Sequence, residues 1–183
     1  MTAIVSEIFD LFARFGSGGY GENLSLERHM LQAAALAESL DAPPTLVAAA
    51  LLHDIGYFLH ADTGALVDPG RDFEHEAVGA AWLSQAFDEE VTAPIALHVH
   101  AKRYLCAVEP GYFDRLSDAS RRSLAVQGGV MGEGEAAAFA NEPAFEAALM
   151  LRRCDDQGKD AALSTLTLEH YRGLLTEVLR PFR

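Results

Sequence analysis

The stretch LVAAALLHDIGY, residues 46–57, runs seven consecutive Leu, Val and Ala residues straight into a histidine and an aspartate. A run that is apolar on every side predicts a buried helix. A carboxylate at the end of such a helix is costly unless it is neutralised, paired or bound to metal. The rest of the chain decides among these.

Helical periodicity dominates on both sides, with no convincing alternating strand, and predicts an all-α helical bundle in one domain spanning residues 1–183. Toward the N-terminus it predicts helices at 3–15 and 25–40, with Ser25 as a cap, around a glycine-rich loop at 16–24. DAPPT (41–45) breaks the chain, and Thr45 caps a helix that continues to about residue 60. Beyond a loop at 61–72, helices are expected at 73–87 and from Asp88 to about 106, where Pro94 is tolerable in the first turns. Shorter helices follow at 112–126 and 132–141 around the QGGVMGEG loop (127–134), then at 143–158 and 167–180.

Four successive helices each carry one inward-facing histidine: His29, His53, His75 and His98, at intervals of 24, 22 and 23 residues. Asp54 accompanies the second, and a later helix brings Asp155. A lone histidine on an apolar face is usually a core residue satisfied by a backbone carbonyl. Four of them with carboxylates in a small all-α domain point instead to a two-metal site of the kind bundles build from facing helices. Asp54 is placed to bridge both ions. His60, His100 and His170 fall outside the set and are expected at the surface or in support of the ligands.

The totals narrow the function. A formal charge of −13 excludes nucleic acid as the natural partner, because phosphate-backbone affinity comes from clustered Lys and Arg. An anionic small substrate needs local basic residues. Two cysteines, Cys106 and Cys154, form no CxxC pattern and suit a reducing cytoplasm. No apolar window reaches the length of a membrane span, and the N-terminal stripe is interrupted by Glu7, Asp10 and Arg14, unlike a signal peptide.

His29…His53-Asp54…Asp155 resembles the H…HD…D signature of the HD domain superfamily of metal-dependent phosphohydrolases, and His75 with His98 resembles its dinuclear branch. HVHAKRYL (98–105), LSDASRRSLAVQGGVMGEGE (116–135) and RRCDDQGK (152–159) are similar to the PhnZ-type HD-domain oxygenases of phosphonate breakdown, as is YGENLSLERHMLQAA (20–34). That resemblance implies an Fe(II)/Fe(III) mixed-valence pair that uses O2 to cleave a C–P bond. His29, His53, Asp54 and Asp155 would hold one iron, and Asp54, His75 and His98 the other. The ligands alone do not select iron over Mn, Zn or Co. The resemblance places Asp54 and Lys102 at the chemistry, Lys102, Ser120 and Arg152 on the phosphonate, and Tyr20 and Glu22 toward the substrate's nitrogen, where Tyr57 is expected to join them. It also implies an organophosphonate substrate supplied by an Fe(II)/2-oxoglutarate hydroxylase.

The chain departs from the aminoethyl branch of that family, which spaces its pair as Tyr-x-x-Glu where Tyr20-Gly21-Glu22 stands here. Tyr57 replaces a histidine, and Cys154 replaces a tryptophan, which is expected to open room in the pocket. Aromatic faces with a nearby negative charge suit a trimethylammonium group, which has no N–H to donate. The expected substrate is therefore 1-hydroxy-2-(trimethylammonio)ethylphosphonate, giving glycine betaine and phosphate. The alternatives are 2-amino-1-hydroxyethylphosphonate giving glycine, an HD-type phosphohydrolase, and a non-catalytic HD-like module.

Overall fold

The computed structural model describes residues 2–19, 24–60 and 72–181. Eleven α-helices account for the regular structure among these residues, and the only β pairing is two isolated bridges, Gly19 with Ser25 and Phe87 with Leu179. No helix among them is long and apolar enough to cross a membrane.

The apolar run forms α3 (Pro44–Leu52), in which every residue from Leu46 to Leu52 is buried. Being apolar all round, it lies at the centre, packed by α2 (Leu26–Ser39), α6 (Glu89–Val108) and α10 (Phe145–Gln157). α1 (Thr2–Phe15) is amphipathic and inserts Val5, Ile8 and Phe12 into the same core. Phe12 meets Phe58 of α4 (Ile55–His60) edge-on at 5.0 Å between ring centroids. α5 (His75–Leu83) lies between α4 and α6. Two smaller clusters gather α7 (Tyr112–Arg115), α8 (Asp118–Val126) and α9 (Glu133–Phe139) onto α6 and α10. A 3-10 turn (Leu168–Tyr171) and α11 (Arg172–Glu177) return to the main core through Tyr171 and Leu175.

Several boundaries differ from the periodicity. The helix expected to run to residue 60 stops at Leu52 and restarts at Ile55, with His53 and Asp54 in the turn between. His53 closes α3 in a helical conformation and Asp54 opens the turn before α4, and both side chains reach one site. α3 starts with Pro44 at its first position, not with a Thr45 cap, since proline lacks the N–H that would go unpaired there. Residues 112–126 are two helices because Ser117 takes an extended conformation and caps α8, accepting from Ser120 N at 3.1 Å. The last predicted helix opens as a 3-10 turn and ends at Glu177, where Leu179 pairs with Phe87 instead. Ser25 caps α2 as expected, accepting from Arg28 N at 3.3 Å. Pro94 lies inside α6, where the carbonyl it leaves without a partner belongs to exposed Glu90 in the first turn.

Candidate metal centre and phosphonate pocket

The break after α3 lets α4 cross α5 at backbone distance. A Cβ on Gly56 would sit 2.0 Å from the His75 carbonyl oxygen, and one on Gly79 would meet Gly56 N at 3.1 Å. No larger residue permits that crossing, which brings Asp54 beside His75 at the start of α5. On the opposite side, a Cβ on Gly158 would meet Ala33 N at 3.0 Å, so the end of α10 seats directly on α2.

Four imidazoles and two carboxylates converge there, all but fully buried. Asp54 Oδ1 lies 3.2 Å from His75 Nε2 and 3.9 Å from His98 Nε2. Its Oδ2 lies 3.4 Å from His53 Nε2 and 3.6 Å from His29 Nε2. Asp155 Oδ1 is 3.3 Å from His29 Nε2. Two ligand groups result, His29–His53–Asp54 and Asp54–His75–His98, with Asp54 common to both.

The ring orientations fit metal. Nδ1 of His29, His53 and His98 lies 2.8 Å from the carbonyls of Gly158, Ala50 and Ile95 respectively. A carbonyl only accepts, so each Nδ1 carries a proton and each ring turns its Nε2 inward toward the cluster. There His29 Nε2 is 3.1 Å from His53 Nε2, and His75 Nε2 is 3.2 Å from His98 Nε2. Burial would lower His75, but its contact with Asp54 raises it above the usual range, so a proton or a metal cation can stand between its Nε2 and that of His98. Burial pushes the His53 imidazole below its usual range, and burial with His75 and His53 nearby pushes His98 well below, so protons do not supply a charge to these two rings. Burial alone would raise Asp54, but His53, His75 and His29 hold it well below the usual carboxylate range. Asp54 Oδ2 is buried and makes no hydrogen bond among the described residues. The donor set of imidazole and carboxylate suits two first-row ions.

A cavity of about 70 Å³ opens beside this cluster. Its other polar lining is Lys102, Ser120, Ser123, Gln127 and Arg152, and its apolar lining includes Leu26, Tyr57, Val99 and Ala119. Lys102 Nζ donates to Ser123 Oγ at 2.8 Å and to Gln127 Oε1. Burial, with Arg152 nearby, lowers its ammonium to about 7. Burial opposes the Arg152 charge, but Asp155 and Asp156 hold it well above the usual value. Burial would likewise raise Asp155, and Arg152 and Lys159 keep it well below. The pocket thus collects basic groups inside a chain of net charge −13.

Of the residues singled out from sequence, all six ligand candidates, Lys102, Ser120, Arg152 and Tyr57 meet at this site. Tyr57 stacks on His75 at 4.2 Å and 13° between ring planes. Tyr20 and Glu22 lie outside the described residues. Cys154 is a correction: it is buried in the main core and does not line the cavity. Sequence reasoning missed Ser123 on α8 and Gln127 at its C-cap, three and seven residues beyond Ser120. It also missed Lys159, whose Nζ donates to Ser120 Oγ at 2.9 Å and lies 3.4 Å from Asp155 Oδ1. Glu76, buried with Oε2 3.2 Å from His75 Nδ1, was missed as well. Helical spacing from site residues was the available signal for Ser123, Gln127 and Lys159, and adjacency to His75 for Glu76. His60 and His170 serve elsewhere, on the Phe73 carbonyl and Glu38, and His100 stacks on Phe139.

The HD domain family matches residues 26–118, the segment that carries His29, His53, Asp54, His75 and His98. A hydroxymethylphosphonate dioxygenase of Gimesia maris is 43% identical over 170 residues, covering 91% of this chain and 84% of the relative. A glycine-betaine-forming [1-hydroxy-2-(trimethylamino)ethyl]phosphonate dioxygenase of Leisingera caerulea is 39% identical over 177 residues, covering 96% and 90%. With the dinuclear ligand geometry and the basic pocket beside it, the chain belongs to the HD-domain family, among its PhnZ-type phosphonate oxygenases.

Proposed function

We propose that this single-domain enzyme cleaves the C–P bond of a 1-hydroxyphosphonate with O2. Its substrate on this reading is 1-hydroxy-2-(trimethylammonio)ethylphosphonate and its products are glycine betaine and phosphate. The observation that carries the reaction class is the basic pocket of Lys102, Ser120 and Arg152 opening onto the buried ligand cluster. In the balanced reaction, a carbon bearing H, OH and PO3 takes up one O2 and leaves as a carboxylate. Phosphorus leaves as hydrogen phosphate, with one further proton released.

His29, His53, Asp54 and Asp155 would hold one iron and Asp54, His75 and His98 the other. Bound there as an Fe(II)/Fe(III) pair, the metals supply the one-electron and O2 chemistry. The protein supplies position and charge. Nδ1–H bonds to carbonyls fix three ligand tautomers, and Asp54, common to both ligand groups, would lie between the two cations. Lys102, Arg152 and Ser120 take the phosphonate oxygens; the dianion restores the proton that burial makes Lys102 ready to give up. Burial and the Asp54 charge hold the Tyr57 phenol well above its usual range, so it stays neutral beside the substrate carbon's substituent.

Tyr57 offers an aromatic face to a trimethylammonium group. A second reading, hydroxymethylphosphonate, is favoured by one observation. Among the described residues, the cavity's carboxylates are Asp54 and Asp155 of the ligand cluster, which leaves none beside Leu26, Val99 and Ala119 for a cation, and Cys154 adds no space. Phosphate release from the trimethylammonio, amino and hydroxymethyl substrates, compared side by side, tests the choice. The highest kcat/KM on the trimethylammonio compound, with betaine formed, is expected. Preference for hydroxymethylphosphonate, with formate formed, moves the assignment to the second reading. Phosphate from a phosphomonoester alone returns it to a hydrolase.

A further inference from the structure

Arg152 is gripped on three sides by the protein itself. Its Nη1 donates to Asp155 Oδ2 at 2.6 Å, its Nη2 to Asp156 Oδ1, and its Nε to the Tyr112 hydroxyl at 3.2 Å. The Tyr112 hydroxyl in turn donates to Asp156 Oδ2, closing a ring of three side chains behind the guanidinium. Arg152 and Tyr112 are both buried. A guanidinium has five N–H groups. Three are committed here, which leaves two, one on each terminal nitrogen.

We propose that Tyr112 and Asp156 are positioning residues for phosphonate binding, acting through Arg152; this rests on the reading above that Arg152 contacts the phosphonate. Neither residue lines the substrate cavity, so neither reaches the substrate directly. The single charge of Arg152 is met by two carboxylates, Asp155 and Asp156, so its use to a dianion is geometric. Lys102, which lines the pocket, is the cation left for the dianion, while Lys159 is shared with Asp155. With Nε and one N–H of Nη2 tied to Tyr112 and Asp156, the guanidinium cannot rotate about its stem, and its two remaining N–H groups keep one direction. A lysine at this position would keep the charge and lose the arrangement. The place of α7 in the fold follows the same logic. This four-residue helix, entered through Gly111 at φ 74°, packs Tyr112 against Leu105, Leu116 and Leu124 and so aims its hydroxyl at Arg152.

The test is a double-mutant cycle on the metal-loaded enzyme, using Tyr112→Phe, Asp156→Asn, Arg152→Lys and the Tyr112→Phe/Arg152→Lys pair. Two quantities are read with metal content: KM for the phosphonate and the inhibition constant of inorganic phosphate. Tyr112→Phe and Asp156→Asn should each raise both by about 3–10-fold, the range for one hydrogen bond, with metal content unchanged and kcat moving less than KM. In the Arg152→Lys background Tyr112→Phe should add nothing, because the group it positions is gone. Equal effects of Tyr112→Phe in both backgrounds, or a lowered melting temperature with both constants unchanged, would overturn the inference. If Arg152→Lys alone changes neither constant, the assignment of Arg152 to the phosphonate fails first. A damaging Arg152→Lys beside a silent Tyr112→Phe and Asp156→Asn removes only the positioning role.

Discussion

Gly56→Ala is the smallest change that should take the metal centre apart while leaving most of the fold. The added Cβ would lie 2.0 Å from the His75 carbonyl oxygen, 2.7 Å from its carbon and 2.9 Å from its Cα. All three are backbone atoms, so no rotamer relieves the contact. Restoring a separation of at least 3.0 Å requires α4 and α5 to part by about 1 Å. Overpacking of this kind costs about 1–3 kcal/mol or more. The larger consequence is geometric, because Asp54 and His75 approach to 3.2 Å across that crossing. A displacement of about 1 Å exceeds the tolerance of about 0.5 Å within which such a site must be held. Metal per chain, measured by elemental analysis after purification, should fall from two to one or fewer, with the helical circular-dichroism spectrum retained and a lower melting temperature. Gly79→Ala, whose Cβ would stand 3.1 Å from Gly56 N and 3.2 Å from Ile55 Cγ2, should lose less of both. Two tightly bound metals in Gly56→Ala would refute the reasoning.

The remaining predictions concern charge. Asp54→Ala should lose both metals, because each ligand group then falls one donor short and the two cations face each other unscreened; elemental analysis finding two retained ions would remove Asp54 as the bridge. Lys102→Met should weaken phosphonate binding by ~1.5–3 kcal/mol, the range for a charged hydrogen bond, with metal content unchanged. It should also stabilise the substrate-free protein below neutral pH. Lys102 is held at about 7 when folded, so between 7 and the ordinary lysine range the unfolded chain carries a proton that the folded chain does not. Stability therefore rises with pH across that window, and the penalty for keeping Lys102 charged is fully present below it. The melting-temperature gain of Lys102→Met should be largest near pH 6 and fade toward pH 10; a gain independent of pH contradicts the burial argument.

The parts legible in the sequence were those written in apolar periodicity. The all-apolar run of α3 announced a central helix, and histidines spaced one helix apart announced facing ligands. What periodicity cannot carry is contact between distant backbones. Nothing near Gly56 indicates that residue 75 will lie against it, so periodicity alone predicts continuous helix through the break at His53-Asp54. Cys154 was drawn toward the pocket by its place beside Asp155, but neighbours on a helix diverge by about 100°, and it turned into the core with Leu151. Ser123, Gln127 and Lys159 look like ordinary polar surface in sequence. They became site residues only because α8 packs near α6, where Lys102 reaches them, and because the end of α10 points Lys159 back at Ser120.

The most direct test is phosphate release from a 1-hydroxyphosphonate by the iron-loaded enzyme, followed with an oxygen electrode and repeated under strict anaerobiosis. One O2 should be consumed for each phosphate and each carboxylate formed, and multiple turnovers should cease without O2. Sustained phosphate release in the absence of O2 would contradict the account.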